Sequence, residues 1–137
     1  MHTIALRPIG RVESPLTDPA QAPRQADEGA PEAWLTLDAD FAPGILGLQA
    51  GDEIVVLTWL DRAQRDILVN HPRGDASRPQ AGVFTTRSPH RPNPIGLHQV
   101  TVAAVDGARV RVRSLEAVDG TPILDIKGLL HPDIAQR

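Results

Sequence analysis

The stretch Thr101-Val102-Ala103-Ala104-Val105-Asp106-Gly107-Ala108-Arg109-Val110-Arg111-Val112-Arg113 decides the fold of this 137-residue chain. Asp106-Gly107 between two such runs is a strong hairpin signal, because glycine reaches the positive φ angles that tight turns need. In the second run arginine alternates with valine, so one face is charged and the other buried. The simpler role of that arginine row is a decorated outer face; a binding role is the alternative. Working outward, the other apolar runs are also short, rich in valine, isoleucine and threonine, and separated by glycine and proline, which is the pattern of strands. They cover residues 3–12, 34–37, 53–60, 67–70, 82–86, 97–105, 109–114 and 123–126. The expectation is a mostly-β chain with little helix, folded as a single small β-barrel domain over residues 1–137, since closure hides sheet edges. One short helix is expected near residues 41–48. Residues 14–32 form a long proline-rich loop, longer than most connectors, and read as a lid, a partner-binding arm or a disordered segment.

Bulk properties bound the function. Hydrophobic residues make up 41% and charged residues 23%, a globular mixture without any run of ~20 apolar residues that a membrane span requires. The first residues lack the basic, apolar and cleavable regions of a secretory signal. With no cysteine, disulfide and thiolate chemistry are excluded, and a cytoplasmic setting is expected. The net charge of -3 argues against a nucleic-acid partner until its distribution is seen. Nine arginines lie between Arg62 and Arg113 against three acids, Asp66, Asp75 and Asp106. That middle permits a local anion-binding surface on an acidic protein; scattered solvated arginines are the alternative.

The most distinctive chemistry sits in Gly82-Val83-Phe84-Thr85-Thr86-Arg87-Ser88-Pro89-His90-Arg91-Pro92-Asn93-Pro94-Ile95-Gly96-Leu97. Three prolines at near-alternate positions fix φ near -65° and bias each preceding residue to extended conformations, so the loop arrives already shaped. Such stiffness suits a binding loop, because Arg87, Ser88, His90, Arg91 and Asn93 are then presented without a large ordering cost. Gly96 lets the backbone turn or approach something closely. His71-Pro72-Arg73-Gly74-Asp75 reads as a turn, either contacting phosphate or capped by its own aspartate.

Several chemistries lack their motifs. Gly44, Gly47 and Gly51 make no GxGxxG after a strand, so a Rossmann cofactor fold is not indicated. Histidines 71, 90, 98 and 131 lack i, i+4 spacing on a helix and have no cysteine to complete a tetrahedral site, so no metal is expected. Neither a GxSxG elbow nor a Walker lysine loop is present.

Thr86-Arg87-Ser88-Pro89-His90-Arg91-Pro92-Asn93-Pro94-Ile95-Gly96-Leu97, followed by Val118-Asp119-Gly120-Thr121-Pro122-Ile123-Leu124-Asp125-Ile126-Lys127, resembles the signature of the TrmO or TsaA-like proteins. The likeness runs from Pro8-Ile9-Gly10 through Pro23-Arg24-Gln25 to Asp125-Ile126-Lys127. It departs at Leu60-Asp61, where members have an aromatic-histidine pair, and at Gly128, where proline is usual. The resemblance implies a β-barrel that binds S-adenosylmethionine, as a homodimer, and methylates N6 of threonylcarbamoyladenosine beside the tRNA anticodon. By position it implies cofactor contacts at Pro23, Arg24, Gln25, Arg87, Leu97, Asp119, Gly120, Thr121 and Pro122. Asn93, Asp125 and His90 are the candidates to orient or accept the proton of the attacking nitrogen. Arg62, Arg65, Arg73 and Arg91 are the candidates for tRNA contact. Methylation of a small molecule, or a non-catalytic S-adenosylmethionine-binding module, are the alternative functions.

Overall fold

The computed structural model describes residues 2–21 and 29–129. Eight strands run β1 (Gly10–Glu13), β2 (Ala33–Leu37), β3 (Glu53–Trp59), β4 (Val69–Asn70), β5 (Ala81–Gly82), β6 (Ile95–Asp106), β7 (Arg109–Arg113) and β8 (Pro122–Gly128). Six of them pair antiparallel in the order β1-β2-β7-β6-β3-β8 and form a closed barrel, while β4 and β5 make a separate two-stranded sheet. The seam between β8 and β1 is short, Gly10 opposite Ile123 and Arg11 opposite Pro122. Backbone bonds from Ile9 N to Ile123 O (2.8 Å) and from Val12 N to Thr121 O (2.9 Å) lengthen it.

Strand parity builds the interior. Ala33, Leu35 and Leu37 on β2, Ile54 and Val56 on β3, Val100 and Val102 on β6, and Val110 and Val112 on β7 all face inward and are buried. All of these but Leu37 belong to one contiguous cluster, which Val12, Leu115, Ala117 and Ile123 complete. Each fully buried branched side chain contributes about 1.5–3 kcal/mol relative to exposure. On β7 the alternation holds as expected. Val110 and Val112 are buried, while Arg109 and Arg111 stack on Trp34, 4.2 and 5.8 Å from its ring centroid. They also pair with Glu13 (3.0 Å) and Glu32 (3.4 Å). Two of the three arginines in that row therefore have intramolecular work on the outer face.

β6 serves two neighbours in succession: residues from Ile95 to Thr101 pair with β3, and those from Thr101 to Asp106 pair with β7. The register slips between Val102 and Ala104, a bulge of the kind that bends a strand around a closed sheet. The hairpin turn falls at Gly107 and Ala108, with Gly107 at φ 59° and Asp106 opposite Arg109.

The structure departs from the sequence reading at three places. The first strand begins at Gly10, opposite Leu37 where β2 ends, while β8 runs on from Ile123 along β3, and residues 2–8 are exposed. The run at 82–86 leaves the sheet at Gly82 and turns into a 3-10 segment, Val83–Thr85, with the Thr85 and Thr86 hydroxyls donating to the carbonyls of Gly82 (2.7 Å) and Val83 (3.2 Å). Threonine hydroxyls competing for backbone carbonyls disfavour the ladder. The short helix is a 3-10 turn, Ala39–Ile45, with Pro43 inside it; proline, Gly44 and Gly47 oppose an α-helix there.

Antiparallel pairing sends β1, β3 and β7 toward the same end, so the connections at 14–32, 60–94 and 114–121 all emerge there. The opposite end carries the 38–52 connection and the tight hairpin turn.

Gly10 tests the ring. An added Cβ would collide with the carbonyl oxygen of Thr36 and lie 2.8 Å from Leu37 Cα, both backbone atoms that cannot swing aside. Gly10→Ala is expected to destabilise by about 3 kcal/mol, the upper range for overpacking, read as a lower midpoint in urea with an unchanged slope.

Candidate functional site

The 60–94 excursion is zipped at its root. Leu60 N donates to Pro94 O (2.8 Å) and Arg91 N to Gln64 O (3.1 Å). Gln64 N donates to His90 Nδ1 (3.0 Å), and Arg65 Nε donates to Pro92 O (2.7 Å). Further out, β4 and β5 pair, and Val83 N donates to Leu68 O (2.9 Å).

Arg91 shapes the proline-rich loop from within. It is half-buried; Nε donates to Ser88 O (2.7 Å), and one terminal nitrogen donates to Val83 O (2.6 Å) and Thr86 O (2.7 Å). Proline removes backbone donors from this loop, leaving carbonyls in need of partners, and a planar guanidinium with five N–H groups serves several at once. Among the arginines expected at a tRNA surface, Arg91 thus faces inward. Arg62, Arg65 and Arg73 are exposed: Arg62 donates to Thr17 O (3.1 Å), tying this excursion to the first connection, and Arg65 lies 5.1 Å from the centroid of Trp59. Arg87 is exposed and makes no hydrogen bond or ion pair among the described residues.

The three candidates for proton handling differ in their capacity for it. His90 is half-buried, and its Nδ1 accepts the Gln64 N–H, so the proton of a neutral ring sits on Nε2 and the ring acts as a donor. Asn93 is exposed, with Oδ1 accepting from Arg65 (3.3 Å) and its amide nitrogen open. Asp125 stands apart from both, paired across β3 in the row Leu97, Leu57, Asp125. That row places it about 10 Å from Leu97, two strand spacings away. Its Oδ1 accepts from Ile126 N (2.9 Å), and Oδ2 lies 3.4 Å from Lys127 Nζ. It also lines a shallow pocket of about 200 Å³ with Leu37, Phe41 and Ile126.

The 114–121 connection forms a strap over the loop-bearing end. Leu115 N donates to Pro31 O (2.9 Å), Asp119 N to Leu16 O (2.6 Å) and Gly120 N to Val12 O (2.7 Å). Asp119 Oδ1 accepts from Ser14 N (3.0 Å), and Gly120 turns the chain at φ 82°. Thr121 and Pro122 are buried, with the Thr121 hydroxyl donating to Val118 O (2.7 Å), so their side chains shape the turn while Asp119 and Gly120 face out. Leu97 is 44% exposed on the outer face of β6 beside Ile95 at 42%. Pro23, Arg24 and Gln25 lie outside the described residues.

The turn at His71 is closed from within: its Nδ1–H donates to Arg78 O (2.7 Å). The Ser77 hydroxyl and N–H both bind Asp75, holding its carboxyl below the ordinary carboxylate value. This is the capped turn rather than an open phosphate cradle. Among the described residues no three of His, Asp and Glu cluster as metal ligands, and no helix is long and apolar enough to cross a membrane.

The sequence reading passed over one group: Thr58, His98 and Glu116, joined by hydrogen bonds inside the same end. Parity contained the signal, since His98 shares its face with Val100 and Val102, and Thr58 with Ile54 and Val56.

A small antiparallel barrel with three long connections at one end, one stiffened by prolines and an internal arginine, defines the class of protein. The chain matches the model of the tRNA-methyltransferase O N-terminal domain over residues 11–132, and it belongs to that family. An S-adenosyl-L-methionine-binding protein of Archaeoglobus fulgidus is 43% identical over 122 residues, covering 89% of this chain and 86% of that protein. A longer protein of the same organism, named a probable S-adenosyl-L-methionine-binding protein, is 39% identical over 127 residues; the chain spans 34% of its length. The crystal structure of TrmO from Pseudomonas aeruginosa superposes with a TM-score of 0.74 at 26% identity, covering 94% of this chain and 57% of that one. Another TrmO crystal structure gives 0.75 at 30% identity, covering 95% and 57%.

Replacing Arg91 by alanine removes three charge-assisted hydrogen bonds and leaves half-buried carbonyls unpaired. The expected cost is about 2–3 kcal/mol in a urea melt, with faster amide exchange confined to residues 83–94. Arg91→Lys should recover only part, because an ammonium cannot reproduce the fork.

Proposed function

We propose that this chain is an S-adenosylmethionine-dependent methyltransferase that modifies N6 of threonylcarbamoyladenosine beside the anticodon of transfer RNA, acting in the cytoplasm as a homodimer. The observation that carries the reading is the family match over residues 11–132, combined with the convergence of Arg87 and the 114–121 strap at one barrel end.

The residues present fit the cofactor. The Arg87 guanidinium, without a hydrogen bond or ion pair among the described residues, suits its carboxylate, and the second oxygen of the exposed Asp119, which makes no hydrogen bond among those residues, suits a hydroxyl or ammonium donor. Ile95 and Leu97 offer an apolar surface for a purine face. When bound, the cofactor supplies a methyl group on a sulfonium, activated for in-line transfer. The protein's task is then mainly alignment, which in favourable systems contributes about 7–11 kcal/mol. The zipped root of the 60–94 excursion and the inward Arg91 hold the loop for that purpose.

The attacking nitrogen is conjugated to the purine and a carbamoyl group, so loss of its proton assists attack. Asp125 is the one carboxylate among the three candidates and so the acceptor to test first, although it lies about 10 Å from Leu97 and lines a pocket with Phe41 of the opposite end's connection; the His90 ring, donating from Nε2, and the exposed Asn93 amide are placed at the loop to orient oxygens of the substrate. Asp125→Asn is expected to lower kcat about a hundredfold with the cofactor Kd unchanged, measured by single-turnover transfer and calorimetry. Equal loss of cofactor affinity would reassign Asp125 to binding.

The RNA would lie on the exposed arginines of the excursion, Arg62, Arg65 and Arg73, which belong to an otherwise acidic chain. The exposed Leu68, Val69 and Phe84 of the excursion, apart from the surface given to the purine, support self-association. The deciding experiment mixes the protein with labelled cofactor and total tRNA from a strain lacking this activity. Label is expected in the modified adenosine, with RNA affinity falling at a log-log salt slope of about -2 to -3 for three neutralised phosphates. Transfer to a small molecule without salt dependence, or cofactor binding without any transfer, would replace this reading.

A further inference from the structure

We infer that Glu116, His98 and Thr58 form a buried clamp that positions the two cofactor-facing segments against each other, a role resting on the S-adenosylmethionine reading above. His98 Nδ1 lies 2.6 Å from Glu116 Oε1, and His98 Nε2 lies 2.7 Å from Thr58 Oγ1. Thr58 is fully buried, His98 is 5% exposed and the Glu116 side chain 15%. A ring protonated on Nδ1 satisfies both contacts, donating to the carboxylate and accepting from the threonine hydroxyl. The hydroxyl is sealed from solvent, so the arrangement holds structure in place and does not attack a substrate.

Position gives the clamp its consequence. Gly96 directly follows the segment from Arg87 to Ile95, and a Cβ there would lie 2.5 Å from Thr58 Oγ1 and 2.7 Å from His98 Nε2. Glycine at this site leaves the room in which the histidine and threonine meet. Glu116 stands three residues before Asp119 on the strap. The backbone bonds from the strap to Pro31, Leu16 and Val12 all run toward the β1–β2 side. The bond to His98 is a polar tie toward β6 and the proline-rich loop, added to the burial of Leu115 and Ala117 in the core cluster that holds Val100 and Val102. Glu116 Oε2 is buried without a partner, so among the described residues that tie rests on one oxygen. The clamp thus joins the root of the loop bearing Arg87 to the strap bearing Asp119, across the space a cofactor held by both must span.

The test compares S-adenosylmethionine Kd by calorimetry with thermal midpoint in four variants of the full chain. Glu116→Ala frees the strap and is expected to weaken binding about tenfold or more, in keeping with the cost of ångström-scale misplacement. Glu116→Gln keeps an oxygen to accept from His98 Nδ1–H and is expected within about threefold of the wild type. Thr58→Val replaces the hydroxyl by a methyl, leaving His98 Nε2 without its donor, and covers the case in which Glu116→Ala does not fold; its expected loss is about threefold. Val102→Ala trims the core and should lower the midpoint while leaving Kd unchanged. Wild-type affinity in Glu116→Ala, or in Thr58→Val where that alone folds, overturns the clamp. So does a failure of glutamine to rescue, or a Val102→Ala loss that matches its fall in midpoint. If the wild-type chain does not bind S-adenosylmethionine, the cofactor reading itself fails, a result separate from any of these.

Discussion

Strand direction in a closed antiparallel ring is the constraint from which the rest follows. Each strand of the ring has a neighbour on both sides, so turns must alternate between the two ends. Three connections therefore meet at one end, while the 38–52 connection and the tight Gly107-Ala108 turn lie at the other. Segments far apart in sequence, the strap at 114–121 and the loop before Gly96, become neighbours without any helix to carry them. The valine-rich interior makes that framework stiff, since β-branched side chains lose little freedom on a pleated surface and fill the closed space with few rotamers.

Upon this framework the end bearing the 60–94 excursion solves a backbone problem. Alternating prolines shape a loop but cannot donate, and its carbonyls would otherwise depend on water. Arg91 satisfies three of them from inside, and Arg65 satisfies Pro92 from the other limb while resting over Trp59. Arginine thus plays two distinct parts in one excursion. Some guanidiniums order the chain, and others, Arg87 above all, stay open to solvent. A charge count treats both alike, which is why nine arginines overstated the surface open to an anion.

Much of the fold could be read from the sequence because its signals are local. The hairpin at Asp106-Gly107 and the alternation of Arg109 to Arg113 need only a few residues to declare themselves, and both stand. The short sheet of β4 and β5 was placed only roughly, since two paired residues each leave almost no periodicity to detect. The strand expected through Thr86 failed on threonine, whose preference for strands gives way where its hydroxyl finds a nearby carbonyl. In the site, Arg87 and Asn93 are exposed as the loop's stiffness suggested, whereas Ser88, His90 and Arg91 are drawn in by partners such as Asn70 and Gln64 that sequence distance conceals. His98 was the more instructive omission. Its parity with buried valines was visible, but the partners that make a polar side chain tolerable there, Thr58 on β3 and Glu116 on the strap, are 40 and 18 residues away.

The same reasoning bears on the proposed RNA partner of an acidic chain. Salt-dependent attraction depends on charges within about a Debye length, roughly 8–10 Å, of the contacting phosphates, and charges on the far side of the barrel are largely screened. Glu13 and Glu32, which lie near the same end, are engaged by Arg109 and Arg111 on the β1–β2–β7 side. Arg62, Arg65 and Arg73 project from the excursion that leaves β3. In the ring only β6 lies between β7 and β3 on one way round and only β8 between β3 and β1 on the other, so it is the pairing of Glu13 and Glu32 with arginines, more than distance, that mutes their charge. Local field, set by such pairing, decides what a surface attracts; net charge alone does not.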